Sequence, residues 1–250
     1  MLNIVVPMAG RGSRFADAGY TDPKPLIDVH GKHMIEVVIN NLTPSCEHRF
    51  IFVCQEEHVK AYKLDAIFAN VCENFEIVTI NGITDGAAIT VLKARVFFDN
   101  DQPLMIANAD QWVDVDINEY LQDMEQRKLD GSMLTMKADD PKWSYAKVDS
   151  HGSVSEVVEK VVISDEATVG IYNFSKGSDF CHFADFMVEQ DIRSNGEFYV
   201  APVYSYMADN GKNVGVFNIG EEANGMYGLG IPSDLIFFLN DEVSNGATNF

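Results

Sequence analysis

The segment IVVPMAGRGSRF, residues 4–15, decides how the chain is read. Its first half is a short, β-branched apolar run of the kind that forms a buried strand. Its second half puts Gly10 and Gly12 in the turn that follows, then Ser13 and Arg14. Two glycines let the backbone approach a phosphate closely, and the amides of Ala9, Gly10, Gly12 and Ser13, with the Arg14 guanidinium, are then able to point at its oxygens. A plain tight turn uses the same two glycines, so both readings stay open on this segment alone. A dinucleotide fingerprint wants a third glycine where Phe15 stands, and an acid about 20 residues on, whereas Glu56 is much farther away. No Gly-Lys-Ser or Gly-Lys-Thr follows, which excludes a P-loop.

Outward from this turn, short β-branched runs alternate with longer segments of helical period. IVVPM (4–8), RFIFVC (49–54), FEIVTI (75–80) and PLMIAN (103–108) are expected as strands. MIEVVINNL (34–42), EEHVKAYKLDAIFAN (56–70) and GAAITVLKARVFF (86–98) are expected as the helices between them. This alternation predicts an α/β fold with a mostly parallel sheet and helices on its faces. Beyond about residue 130 the texture changes to hairpins: SMLTMKA, SYAKVDSHGSVSEVVEK and ATVGIYNFS predict strands around a turn at His151 and Gly152. Additions of this kind commonly carry a second substrate's pocket. SDFCHFADFMVEQ (178–190) and APVYSYMADNGK predict helices, NVGVFNIG a late strand, and PSDLIFFLNDE a final helix with Ser233 or Asp234 near its cap. We expect one domain over residues 1–243, in two halves that meet at about residue 130 where the texture changes, and a loose tail over 244–250.

Charge narrows the partners. The 250 residues carry 18 Lys and Arg against 38 Asp and Glu, a formal charge of −20 that repels nucleic acid and anionic membranes. The first 32 residues break the pattern: Arg11, Arg14, Lys24 and Lys32 face only Asp17, Asp22 and Asp28, which points to an anionic ligand there. Cys46, Cys54, Cys72 and Cys181 stand far apart with no CxxC pair, so they are expected as reduced packing residues rather than a zinc cage or disulfide framework. No basic stretch precedes the first apolar run, and no apolar stretch approaches the roughly 20 residues of a membrane span. A cytoplasmic location is expected, with no nucleic acid or membrane partner, and the sequence is compatible with a homo-oligomer.

Two further residues carry chemistry on their own terms. Lys24, held between Pro23 and Pro25, is placed to bring a point charge onto phosphates, a placement that a solvated surface lysine leaves unexplained. Asp110 follows an apolar strand, at the carboxyl end where open α/β sheets bind ligands, and suits a magnesium ion held against phosphate oxygens; a helix cap or turn aspartate is the plainer alternative. Asp114 and Asp116 form a DVD pattern and are expected on the surface.

Taken in order, MAGRGSRF, PKPL and GKHMIE, then TDGAAITVLKA, ANAD, VVEK, VGIYNF and GEFY, the chain resembles the sugar-phosphate nucleotidyltransferases, or nucleoside-diphosphate-sugar pyrophosphorylases, from Ile4 to about Leu235. That resemblance implies a three-layer α/β/α, Rossmann-like fold with a mostly parallel mixed sheet. It implies a Mg2+-dependent enzyme that forms a nucleotide sugar and pyrophosphate from a nucleoside triphosphate and a sugar 1-phosphate, with Arg14, Lys24 and Asp110 as catalytic residues and Asp110 on the metal. Gly86 and Ala87 would lie against the nucleotide base, although close helix packing explains small residues there equally. Glu159 and Lys160 would contact the sugar and its phosphate, or else form a salt-bridged strand end. Gly170 would belong to the sugar pocket, Glu197 would accept sugar hydroxyls, and Tyr199 would wall the same site. One departure stands out: where the family commonly has DxGTP, whose aspartate completes the metal site, this chain reads Gly228-Leu229-Gly230-Ile231-Pro232. The alternatives are a cytidylyltransferase with a non-sugar phosphate or phosphonate acceptor, a glycosyltransferase of similar fold, and a non-catalytic nucleotide-sugar sensor.

Overall fold

A computed structural model describes residues 1–250. The first part of the chain comprises β1 (Leu2–Pro7), α1 (Ser13–Asp17), a 3-10 turn over Lys24–Leu26, a hairpin of β2 (Asp28–Val29) and β3 (Lys32–His33), and α2 (Met34–Leu42). Next come β4 (His48–Gln55), α3 (Glu56–Tyr62), α4 (Leu64–Ala69), β5 (Phe75–Ile80), α5 (Ala87–Leu92) and a 3-10 turn over Arg95–Phe97. The middle holds β6 (Leu104–Ala107), β7 (Gln111–Val113), α6 (Ile117–Gln126), β8 (Gly131–Lys137), β9 (Ser144–Val148), β10 (Val154–Glu159) and β11 (Glu166–Phe174). The last part is α7 (Gly177–Glu189), α8 (Val203–Asp209), β12 (Val214–Glu222), β13 (Gly225–Gly228), α9 (Pro232–Asn240) and α10 (Val243–Ala247).

Nine strands follow the order β5-β4-β1-β6-β11-β8-β12-β13-β7, with β9 beside β11 and β10 beside β9. On that path only β11 and β7 run against the rest, so the sheet is mixed and mostly parallel. Alternation along β1 divides the core: Leu2, Ile4 and Val6 join one apolar cluster with α2, α4 and α6, while Val5 joins the other with α5, α7 and α8. Helices thus cover both faces, which completes three layers. A third cluster, around Phe15, Trp112, Tyr227 and Phe238, ties α1 and α9 to the carboxyl edge of the sheet.

Several expectations need correction. The helix expected over 56–70 breaks at Lys63, whose backbone is left-handed with φ 51°, and the break lets α4 bury Leu64 and Phe68 although α3 buries nothing. The helix expected over 86–98 ends at Leu92 and continues only as the 3-10 turn. Helix α9 starts with Pro232 after Ile231, so Ser233 and Asp234 stand near its cap, in the first turn, as expected, while Ile231 holds the cap position itself. The expected loose tail is instead α10, anchored by buried Ser244 and Ala247, by a 2.9 Å hydrogen bond between His30 Nε2 and Ser244 Oγ, and by Lys32 over the Phe250 ring. Cys54, Cys72 and Cys181 are buried and unpaired, whereas Cys46 is exposed and so is not a core packing residue. No helix is long and apolar enough to cross a membrane.

Candidate active site

Strands β1 and β6 lie side by side and parallel, so the turns leaving their carboxyl ends meet. The first turn carries the glycines. Gly12 is left-handed with φ 60°, and a Cβ there would stand 3.2 Å from the Cβ of Lys24, so a side chain at this position would be both strained and crowded. Lys24 opens the 3-10 turn whose Pro25 and Leu26 are buried, and this anchors an otherwise mobile side chain. Its ammonium donates to Asp110 Oδ2 over 2.6 Å, joining the two turns.

Around this ion pair opens a cavity of about 480 Å³, lined among others by Gly12, Ser13, Arg14, Lys24, Asp110 and Lys160. Four cations, Arg14, Lys24, Lys142 and Lys160, face two carboxylates, Asp110 and Asp234. On a chain of −20 this is a local excess of positive charge, suited to a polyanion. Ala9 and Gly10 line a second cavity, about 390 Å³, together with Gln55, Asn81 and Gly82. Buried Gln55 donates through Nε2 to the carbonyls of Ala9 and Gly82, over 2.8 and 2.7 Å, and so clamps the two loops that wall it. Gly86 and Ala87 line neither cavity. A Cβ on Gly86, at φ 116°, would collide with the Phe198 backbone, so close packing accounts for that glycine.

The end of the β9–β10 hairpin brings Lys160 to the first cavity, whereas Glu159, Glu197 and Tyr199 do not line it. Glu159 ends β10 buried, bonded to the Ser144 hydroxyl. Burial pushes its carboxyl above the usual range, against the pull of Ser144 and Lys160. Lys160 takes a left-handed backbone, φ 57°, a conformation lysine adopts at a cost. It donates to the Tyr199 hydroxyl over 3.0 Å, a bond that raises its pKa, while burial raises that of Tyr199. Exposed Glu197 adds its charge to this group. Gly170 lies in the irregular stretch of β11, closed over by the side chains of Asn108 and Gln111, and does not reach the cavity. Asp114 is exposed and Asp116 caps α6. The remaining lining residues, Gln111, Lys142, Trp143, Gly230, Ile231 and Asp234, were not expected; only the Gly228–Pro232 anomaly pointed near any of them.

A raised carboxyl pKa has a definite sign in stability. Glu159 binds its proton more tightly in the folded state, so from about its ordinary value of 4.5 upward the folded protein holds more protons than the unfolded one and loses stability as pH rises. Glu159→Gln removes this contribution. Wild type is therefore expected to lose unfolding midpoint relative to the variant as pH climbs above 4.5, and a difference that stays flat with pH would contradict the burial argument.

The layered fold and a cationic cavity at the carboxyl ends of parallel strands define an α/β protein with a site suited to phosphorylated ligands. The nucleotidyl transferase family model matches residues 4–217, and the chain belongs to that family. It is 34% identical over 109 residues to the 2-aminoethylphosphonate cytidylyltransferase of Lancefieldella rimae, a match that spans 42% of this chain and 44% of that relative, under half its length. A crystal structure of a nucleoside-diphosphate-sugar pyrophosphorylase from Vibrio cholerae RC9 is similar over 95% of this chain and 100% of its own, with 26% identity and a TM-score of 0.81. The inositol-1-phosphate CTP transferase of T. maritima shares the fold at 14% identity, with a TM-score of 0.73 over 98% of this chain and 94% of its own.

Proposed function

We propose that the chain transfers a nucleotidyl group from a nucleoside triphosphate to a sugar 1-phosphate, releasing pyrophosphate. The observation that carries this reading is the meeting of Arg14, Lys24, Lys142 and Lys160 around Asp110 in one cavity, beside a second cavity walled by the same glycine turn. In it, the second cavity takes the nucleoside and the first takes the triphosphate and the acceptor. An acceptor phosphate oxygen attacks the α-phosphorus in line as pyrophosphate leaves; it is already ionised at neutral pH, so no general base is needed. Arg14 and Lys24 bind the triphosphate and stabilise its developing charge. For Lys24 this means exchanging Asp110 for a phosphate oxygen. Lys160, held by Tyr199, meets the acceptor phosphate.

The donor set fits a divalent cation: Asp110 offers a hard carboxylate oxygen, and the cavity wall at Gly228 and Gly230 carries no side chain of its own. Asp110 would hold the ion. Bound there, magnesium would supply neutralisation of charge on the phosphate oxygens.

A second reading is cytidylyl transfer to a phosphonate, favoured by the similarity to the Lancefieldella enzyme. Pyrophosphate release, measured for the common triphosphates against a set of sugar 1-phosphates and 2-aminoethylphosphonate, separates the two. Release with a sugar 1-phosphate is expected. Release with the phosphonate alone selects the second reading; a glycosyltransferase would give no pyrophosphate from any pair but would release nucleoside diphosphate from a nucleotide sugar offered in a parallel incubation, and no product in either would favour a sensor.

A further inference from the structure

Two carboxylates face the main cavity, and their surroundings differ. Asp110 is neutralised by Lys24 at 2.6 Å. Asp234 has no cation within ion-pair distance, and its one side-chain partner is the Ser233 hydroxyl at 3.2 Å. Two of the other cavity cations are engaged elsewhere, Lys142 by Glu222 and Lys160 by Tyr199. A partly buried carboxylate thus stands uncompensated in a cavity built for polyanions.

Both carboxylates lie on one bare strip of backbone. Leu229 is fully buried and donates its N–H to the Asp110 carbonyl over 2.8 Å, while Gly228 and Gly230 on either side line the cavity. In extended chain these two positions share a face and stand roughly 6.6 Å apart. A Cβ on Gly228 would lie 3.1 Å from Asp234 Oδ2, and one on Gly230 would lie 2.6 Å from Asp110 Oδ2. Neither glycine has the positive φ that would itself demand glycine. The space in front of each is taken by a carboxylate instead.

We propose that Asp234, reaching from the first turn of α9, is the second carboxylate ligand of the divalent cation and occupies the room that a side chain at position 228 would fill. The inference rests on the nucleotidyl-transfer reading of the cavity. Magnesium accepts two carboxylates together with phosphate oxygens and water. Because Lys24 holds Asp110, the ion is expected to enter with the triphosphate, whose phosphates draw Lys24 away.

The test follows Mn2+, which prefers the same oxygen ligands, by its enhancement of water-proton relaxation when protein-bound. Wild type, Asp234→Asn and the double variant Asp234→Asn/Gly228→Asp are titrated with Mn2+ in the presence of inorganic tripolyphosphate, a polyanion with no base to choose. Asp234→Asn is expected to weaken Mn2+ binding at least about 10-fold, the loss that even indirect partners of a metal cause, with metal-free tripolyphosphate binding and the unfolding midpoint retained. The double variant is expected to regain most of the affinity, because a carboxylate returns to the same strip. Unchanged Mn2+ affinity in Asp234→Asn would overturn the assignment and leave the nucleotidyl-transfer reading standing. So would a lowered midpoint that the double variant does not correct, the mark of a helix-end carboxylate with a structural role. Failure of wild type to take up Mn2+ with tripolyphosphate would instead strike the metal-dependent reading itself.

Discussion

Lys24→Ala is expected to lower turnover by about 10²–10³-fold, the loss typical of removing one group that stabilises transition-state charge. The same substitution should hardly disturb the fold. The Lys24–Asp110 pair is about a quarter exposed on each side, 26% and 23%, and ion pairs open to solvent contribute only about 0–1 kcal/mol. For a chain of this size that corresponds to a fall in Tm of no more than about 4 °C. Arg14→Ala is expected to behave alike, since Arg14 is exposed and has no side-chain partner in the fold. Turnover and thermal unfolding measured on the same preparations decide the matter. Wild-type turnover in both variants would end the assignment of this turn to phosphate.

The second large effect belongs to Asp110→Asn. Shape and hydrogen-bonding capacity are kept, and the charge that would hold a divalent ion is lost. If the ion supplies several kcal/mol of charge stabilisation, turnover should fall about 10³-fold or more. Metal-free triphosphate binding should persist or tighten, because Lys24 no longer faces a carboxylate at 2.6 Å. A magnesium titration of activity identical to wild type would move the ligand elsewhere. Asp114 would then be a poor substitute, since it lies exposed beyond β7 and outside the cavity.

What could be read from the amino acids alone has a physical pattern. Helix α2 and strand β5 coincide with the expected 34–42 and 75–80, because each carries a strong apolar period with clear boundaries. Helix α6 escaped notice: its buried residues are only Ile117, Tyr120 and Met124, so its apolar stripe is thin, although the capping Asp116 was there to see. Strands β7 and β13, of three and four residues, are too short for any period, and their pairing joins Trp112 to Tyr227 across more than a hundred residues. The break at Lys63 depends on which neighbours bury Leu64 and Phe68, and no local rule places lysine at positive φ.

The site divides in the same way. Arg14, Lys24 and Asp110 are legible because each sits in a short local motif, a glycine turn, a proline pair or a strand end. Lys142 and Trp143 are not, because they reach the cavity from the loop before β9, and only the folding of that hairpin onto β11 brings them there. Gly228 was legible as an anomaly. Its meaning needed Asp234, six residues later, to be seen beside it.

The most direct test of the account is to follow oxygen. An acceptor phosphate carrying heavy oxygen is incubated with the triphosphate it pairs with, magnesium and the enzyme, and the products are read by phosphorus NMR. Attack by the acceptor on the α-phosphorus predicts one pyrophosphate per product and heavy oxygen in the bridge between the two phosphorus atoms of the new diphosphate. Nucleoside diphosphate in place of pyrophosphate, or a bridge that carries no label, would contradict it.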